Sequence, residues 1–231
     1  MANTLFLRLE GPMQAWGERA RWSVRDTAAE PTKSGVIGLL ACALGLRQDE
    51  ELRNLSQAMR MGVRCDRPGR QIVDYHTVGA GYGRPMLLSA QGKPKISSGR
   101  PHTEETWRHY LCDASFLVAL QAESDLVASV ASALRAPFWP IYLGRKSCVP
   151  SRPPFDGVGT YDSLSDALRN WRPLETPVRA ILECSPSRPG ATRRSDEIIS
   201  RTHRIFAPRY TCEERLFTQD GEEKGLCISH D

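Results

Sequence analysis

An α+β fold of ferredoxin-like order is what this 231-residue sequence predicts, and three observations carry the prediction. Leu5, Leu7 and Leu9 alternate with Phe6, Arg8 and Glu10, the period of two that gives a strand its two faces. Lys33 to Leu44 runs apolar behind Thr32, a good helix cap, and stops at Gly45, a good helix terminator. The same strand-then-helix order returns later. Ser115–Gln121 is nearly all apolar, and the helical pattern from Asp125 to Arg135 is closed by Pro137.

The first strand ends at Gly11-Pro12. A long loop follows to Pro31, carrying Gln14, Trp16, Arg19, Arg21, Trp22 and Arg25. Unstructured loops beyond about 15 residues are usually functional or disordered, and two tryptophans among three arginines argue against disorder. In the helix, Val36, Leu40, Ala43 and Leu44 share one face, while Gly35, Gly38 and Ala41 permit close approach of a sheet or another backbone. Asp49 reads as the cap of a second helix with Leu52, Leu55 and Met59 on one side, and Met61, Val63 and Cys65 then alternate as a strand. From Gly69 to Asp113 the pattern is irregular. A strand over Ile72–Val78, a Gly/Pro/Ser/basic stretch from Gly79 to Pro101 and a returning strand over Thr106–Leu111 make a protruding hairpin or flexible insertion. Ser115–Gln121 is expected as a buried central strand. Leu126, Val127, Val130 and Leu134 point inward from the next helix, and Phe138–Leu143 supplies a short strand. The order is β-α-β-β-α-β, ferredoxin-like (RRM-like), with an excursion in its middle. Many unrelated functions use that order, so it does not settle this one.

Beyond Leu143 the composition shifts. Gly144–Gly159 reads as loop, Ser163 caps a short helix with Leu164, Ala167, Leu168 and Trp171, and Pro177–Glu183 alternates as a strand. Ser185–Ser195 reads as a mobile Pro/Ser/Arg linker. Ile198–Tyr210 reads as a single last strand bearing Arg201, His203, Arg204 and Arg209, and the acidic end after Cys212 as a frayed tail. The division expected is a core over 1–148, with 69–113 inserted in it, and a small β-rich C-terminal extension over 149–231.

Hydrophobic residues at 40% and charged residues at 25% are globular proportions. No window approaches the ~20 consecutive apolar residues of a membrane span. The first residues lack the basic-then-apolar make-up of a signal peptide and read as a strand, so a cytoplasmic location is expected. Cysteines 42, 65, 112, 148, 184, 212 and 227 form no C-x-x-C pair and are odd in number. Neither a zinc knuckle nor a disulfide framework is expected, and no metal or cofactor. The net charge is +4 with a pI near 8.7, and the positive charge is almost all arginine, suited to bidentate phosphate contacts and to stacking on bases.

Two segments concentrate that chemistry. At Lys33-Ser34-Gly35 a helix N-terminus offers free N–H groups and a favourable dipole to an anion, Lys33 adds charge, and Trp16 or Trp22 can stack on a base. The plainer reading is a capped helix with tryptophans folded over a core edge. In Tyr142–Cys148, Gly144 lets the backbone pass close to a ligand, Arg145 and Lys146 can meet phosphates, and Tyr142 can stack. The plainer reading there is a solvated basic turn. Catalytic groups are scarce. Asp74-Tyr75-His76 and Arg108-His109-Tyr110 would suit acid/base cleavage of RNA, but no spacing ties His76, His102, His109 or His203 to a nucleophile or second base. There is no G-x-x-x-x-G-K-[ST], H-E-x-x-H or G-x-S-x-G, and the Gly79–Gly83 run fits a flexible tip.

The strings L-x-L-x-GPMQAWG (Leu7–Gly17), PTKSGVIGLLACALG (Pro31–Gly45), DYHTV (Asp74–Val78), ETWRHYLCDASF (Glu105–Phe116) and YLGRKSC (Tyr142–Cys148) resemble the CasD group, the type I-E form of the fifth-numbered Cas family. The resemblance runs in order to about Cys148, two-thirds of the chain. It implies a RAMP-type ferredoxin-like core with a β-hairpin thumb, here residues 69–113. It also implies a Cascade subunit that binds the 5′ handle of crRNA, contacts the large subunit CasA and the backbone subunit CasC, and meets target DNA only indirectly. In type I-E systems another subunit cuts the RNA, so no catalytic residue is carried over. The expected RNA-binding residues are Gln14, Trp16, Arg21 and Arg25 on the first loop, Lys33 and Ser34 at the helix start, Tyr75 and His76, Arg108 on the thumb return, and Tyr142, Arg145 and Lys146. Two alternatives stand beside this. One is a metal-independent endoribonuclease like the type I-C relatives, using Tyr75, His76 or His109; the other is an assembly scaffold with incidental RNA contacts.

Overall fold

A computed structural model describes residues 1–18, 23–79, 86–172 and 174–217. Its elements run β1 (Thr4–Glu10), β2 (Met13–Gln14), β3 (Val24–Arg25), α1 (Lys33–Leu44), α2 (Asp49–Gln57), β4 (Arg60–Arg67), β5 (Arg70–Val78), β6 (Ile96–Ser97), β7 (Arg100–Pro101) and β8 (Glu104–Cys112). They continue with β9 (Ser115–Gln121), α3 (Ser124–Arg135), β10 (Phe155–Gly159), α4 (Leu164–Asn170), β11 (Val178–Glu183), β12 (Thr192–Ser200) and β13 (Ile205–Leu216). The architecture is mixed α+β and dominated by antiparallel sheets.

A seven-stranded sheet has the order β10-β1-β9-β4-β11-β13-β12, with every neighbouring pair antiparallel. The alternation in β1 separates two faces that are both covered. Leu5, Leu7 and Leu9 share a core with Val36, Ile37 and Leu40 of α1 and Val127, Val130 and Leu134 of α3. Phe6, with Leu117 and Ala119 of β9, packs instead with Leu164, Ala167 and Leu168 of α4. Trp171 stacks on Phe6 there, ring centroids 4.2 Å apart. On that second face Arg64 is buried, and its Nη1 donates to the carbonyls of Leu168, Trp171 and Arg172 at 2.6, 2.9 and 3.1 Å. Those carbonyls at the end of α4 have no partner within the helix, so a buried guanidinium caps it.

Helix α1 starts and stops as its sequence predicts. Thr32 Oγ1 accepts from the Gly35 N–H, and Gly45 takes the left-handed conformation at φ 76°. In α2 the capping residue is Gln48 rather than Asp49, with the N–H groups of Arg47 and Gln48 donating to Glu51 Oε2 at 3.1 and 2.9 Å. Asp49 instead accepts from the Ser200 hydroxyl at 2.5 Å and from the Arg201 and Thr202 N–H groups, which ties α2 to the β12–β13 turn.

Several expectations are corrected. Phe138–Leu143 forms no strand, and the position beside β1 is taken by β10. Pro140 removes a ladder donor from that segment, and Pro137 stands just before it. The N–H groups of Phe138 and Trp139 donate to the Ala43 and Cys42 carbonyls at the end of α1. Ile198–Tyr210 is not one strand: β12 and β13 are paired and reverse at Arg201–Arg204, where Arg204 has φ 55°. Thr192–Ser195, expected in a mobile linker, belongs to β12, and Glu213–Leu216, expected to fray, pairs with β11. The tail beyond Phe217 lies outside the described residues, as does most of the Gly79–Gly83 run.

The second sheet is organised around β8. β5 pairs along its full length on one edge, Arg70 opposite Cys112 through Val78 opposite Glu104. The other edge is shared by β2, antiparallel at Leu111–Cys112, and β3, parallel with Val24 beside Trp107 and Arg25 beside Arg108. The loop after β1 therefore adds two short edge strands to this sheet.

Candidate nucleic-acid interface

Residues opposed in an antiparallel ladder point to the same face, so the β5–β8 register sorts the candidate residues. On one face Val73, Tyr75 and Thr77 stand opposite His109, Trp107 and Glu105. The Tyr75 and Trp107 rings lie 5.6 Å apart at 50°, and they are 52% and 39% exposed. Val24 and Val73 extend the exposed patch to either side. Partial desolvation, then the Glu105 carboxylate bonded to it, push the Tyr75 hydroxyl pKa up, keeping it a donor.

The opposite face carries Asp74 across from Arg108 and His76 across from Thr106, with Arg25 beside Arg108 on β3. Arg108 Nε donates to Thr106 Oγ1 at 3.4 Å. Arg145 lies over the Tyr110 ring, 4.6 Å from its centroid, and donates to the carbonyls of His109 (3.0 Å), Arg25 (2.8 Å) and Asp26 (3.2 Å). It fastens β3 to β8 and brings a third guanidinium to the sheet edge where Arg25 is exposed. Lys146 follows it and is exposed; Tyr142 is half-buried.

Gly144 has φ 95°, and a Cβ there would fall 1.8 Å from the Ala15 carbonyl oxygen. The close approach its sequence suggests is therefore to the first loop's own backbone, where the Ala15 N–H donates to the Leu143 carbonyl at 3.0 Å.

Three candidates lie inside the protein. Gln14 is fully buried, donating to the Leu9 and Ala114 carbonyls at 3.1 and 2.9 Å and accepting from Trp16 Nε1 at 3.0 Å. Trp16 is buried against Gly35, where an added Cβ would come within 2.9 Å of its ring. Lys33 is 2% exposed, with Nζ 2.7 Å from Glu197 Oε2 and 3.2 Å from Glu183 Oε2. Its N–H, one of those expected to be free for an anion, donates to Asp196 Oδ2 at 2.9 Å. Burial acts against the Asp196 charge, but the hydrogen bonds and charge of Arg209 outweigh it and hold the carboxyl below its ordinary range. The protein itself neutralises this helix end, so Gln14, Trp16 and Lys33 position the first loop and α1 rather than face a ligand. Ser34, half-buried, stands in a cleft with Gly17, Glu18, Ser195, Asp196, Arg204 and Phe206. Arg21 lies outside the described residues.

The histidines are separated. His76 is bonded to Asp74, His109 Nδ1 lies 2.8 Å from Gln71 Nε2, and His102 Nε2 lies 3.0 Å from Glu104 Oε2. His76 and His109 occupy opposite faces of the ladder, so they do not converge on one scissile bond.

The arrangement can stack bases on one face of a small sheet and meet phosphates at its edge, the two ingredients of single-strand nucleic-acid binding. The chain belongs to the family described as CRISPR-associated protein (Cas_Cas5), whose profile matches residues 4–212. It is 37% identical over 188 residues to the Cascade subunit CasD of the CRISPR system of Escherichia coli strain K12, covering 75% of this chain and 79% of that protein. A chain of a solved CRISPR RNA-guided surveillance complex superposes with a TM-score of 0.75 at 30% identity, covering 93% of this chain and 90% of its own. A crystal structure of a Cas protein superposes with a TM-score of 0.68 at 36% identity, covering 93% and 95%. Among the described residues no helix is long and apolar enough to cross a membrane.

Proposed function

We propose that this chain is a non-catalytic, crRNA-binding subunit of a type I-E Cascade surveillance complex in antiviral defence, gripping the 5′ handle of the guide. The observation that carries the reading is the presence, on one four-stranded sheet, of the exposed Tyr75–Trp107 pair on one face and, on the other, of Arg108 on the central strand beside Arg25 on the β3 edge, with Arg145 bonded to that edge. In this account Arg25, Arg108 and Lys146 neutralise handle phosphates while the aromatic pair stacks one or two splayed bases. Arg145, Gln14 and Trp16 keep the first loop in register. Fixing one end of the guide would position the rest along the neighbouring subunits, which we take to be the large subunit CasA and the backbone subunit CasC.

The finer fold reading rests on strand order. β10-β1-β9-β4, with α1 leading from β1 toward β4 and α3 from β9 toward β10, is the order of a ferredoxin-like core. We read residues 69–113, whose stem is the β5–β8 ladder, as the thumb, and the chain after β10 as an extension, the expected boundary at 148 moving past Gly159 because β10 is the fourth core strand. Three strands of the extension, β11, β13 and β12, continue the core sheet. The endoribonuclease alternative is disfavoured by the opposite facing of His76 and His109.

Equilibrium binding of handle RNA and a scrambled oligonucleotide of equal length tests the proposal. Handle RNA is expected to bind more tightly. Arg25→Ala with Arg108→Ala should weaken both RNAs and lower the salt slope by roughly two. Equal affinity for the two sequences, or site-specific cleavage by the pure chain, would contradict it.

A further inference from the structure

A groove of about 330 Å³ opens at the C-terminal end of α1, floored by Gly38, Ala41, Cys42, Leu46 and Leu52 and walled by Trp139. Its shape is rigid. The N–H groups of Phe138 and Trp139 are bonded to the Ala43 and Cys42 carbonyls at 2.9 and 3.1 Å, and the two rings meet edge to face at 4.8 Å. Phe138, so fixed, is 66% exposed. Phe138, packed on Gly45 and Trp139, adds an exposed apolar surface beside the groove at this end of α1.

Two arginines guard the mouth. Arg47 sits over Trp139 at 4.8 Å from the ring centroid, and Arg201 Nη2 donates to the Arg47 carbonyl at 3.3 Å. Among the described residues neither guanidinium has a carboxylate partner, although most arginines on the neighbouring strands do. The nearby carboxylates are engaged elsewhere: Asp49 by Ser200 and the Arg201 and Thr202 N–H groups, Glu51 by the Arg47 and Gln48 N–H groups. An apolar slot rimmed by two guanidiniums with no carboxylate in contact suits aliphatic side chains flanked by acids. RNA fits it less well. The side chains of the floor offer a base edge no strong hydrogen-bonding group, and the Trp139 face is already occupied by Arg47.

We propose that this groove docks an apolar, acid-flanked segment of a neighbouring protein subunit, an inference that rests on the chain being a complex subunit but concerns a surface separate from the RNA-facing sheet. Cys42 reports on it from inside. Iodoacetamide labelling of Cys42, read by peptide mass spectrometry, is compared in the free chain, the chain with handle RNA, and the complex assembled with the neighbouring subunits. The expected result is equal labelling in the first two and at least tenfold protection in the third. Arg47→Glu with Arg201→Glu should weaken assembly at least tenfold while leaving the free chain's affinity for handle RNA unchanged. Gly38→Leu, placed where a Cβ meets nothing within 4 Å, should do the same by filling the slot. Protection by RNA alone would assign the groove to nucleic acid, and undiminished labelling in a complex that has formed would leave it without a partner. Either result overturns the docking proposal and leaves the handle reading standing. Failure of any complex to form overturns both.

Discussion

The Arg145 guanidinium rests 4.6 Å above the Tyr110 ring and from there donates to the backbone carbonyls of two strands, at His109 on β8 and at Arg25 on β3. A residue whose type and neighbours suggest a phosphate ligand is thus a brace for the strand that carries Arg25. Arg145→Lys cannot reproduce a fork reaching three carbonyls, and is expected to cost roughly 1–2 kcal/mol in denaturant unfolding and to weaken RNA binding indirectly. Lys146→Ala should leave unfolding unchanged and lower only RNA affinity and its salt slope.

Lys33 makes the opposite test. Lys33→Met would leave Glu197 without a cation and Glu183 with only Arg209 at 3.8 Å, in a mostly buried site, and should cost roughly 3 kcal/mol. The loss would be read as a lower denaturation midpoint at unchanged slope. Ser34→Ala, one residue on, should be close to neutral for stability.

Glycines 35 and 38 lie on the same helix but should respond in opposite senses. A methyl group at Gly35 would meet the Trp16 ring at 2.9 Å and Thr32 Oγ1 at 3.0 Å, so Gly35→Ala is expected to destabilise by roughly 1–3 kcal/mol. Gly38 faces open space, so Gly38→Ala should stabilise by up to about 1 kcal/mol through helix propensity. Thermal melts of the two single variants decide it.

Acid should loosen the C-terminal hairpin. Burial opposes the Asp196 charge, but Arg209 prevails and the carboxyl pKa is lowered; the Ser200 hydroxyl, first among its partners, lowers that of Asp49. A depressed folded value means stability present above the unfolded aspartate pKa of about 3.9 and lost as pH falls through the folded value. Unfolding free energy should therefore drop below about pH 4, and Asp196→Asn, less stable at neutral pH, should show a flatter acid limb. The buried thiols of Cys65 and Cys148 act at the other end. Burial raises their pKa, so their contribution holds below the unfolded thiol value near 8.5 and is lost as pH rises through the folded one.

Tyr75 and Trp107 are exposed, so truncating them should spare the fold. Each alanine substitution is expected to cost roughly 1–3 kcal/mol of handle affinity if a base stacks there. Fluorescence anisotropy with labelled handle RNA measures it, with unchanged unfolding as the control.

Much of the core was legible because its signals are local. Thr32 and Gly45 bound α1, Ser163 caps α4, and the apolar run of β9 marks a strand covered on both faces. What the sequence hid depends on distant partners. Phe138–Leu143 has the side chains of a strand, but its N–H groups go to the end of α1 and its sheet position to β10. Gln14 and Lys33 look like ligands because their types are polar, and only the fold brings Ala114, Glu183 and Glu197 to meet them. Trp107 escaped notice although a signal was present: in ETWRHY a period of two places it with Glu105 and His109, a large aromatic on an otherwise polar face.

The central claim is that this chain fixes the 5′ end of the guide through the sheet built on β8, with Arg25 on its β3 edge and Arg108 beside it. The most direct test assembles the complex with its neighbouring subunits and a repeat-spacer RNA, with the wild-type chain or with Arg25→Glu/Arg108→Glu, and sequences the 5′ ends of the bound RNA. The account predicts one uniform protected handle with the wild-type chain and ragged or missing 5′ ends with the variant, while the chain itself stays folded. Identical, uniform ends with the variant, or with the chain left out, would contradict it.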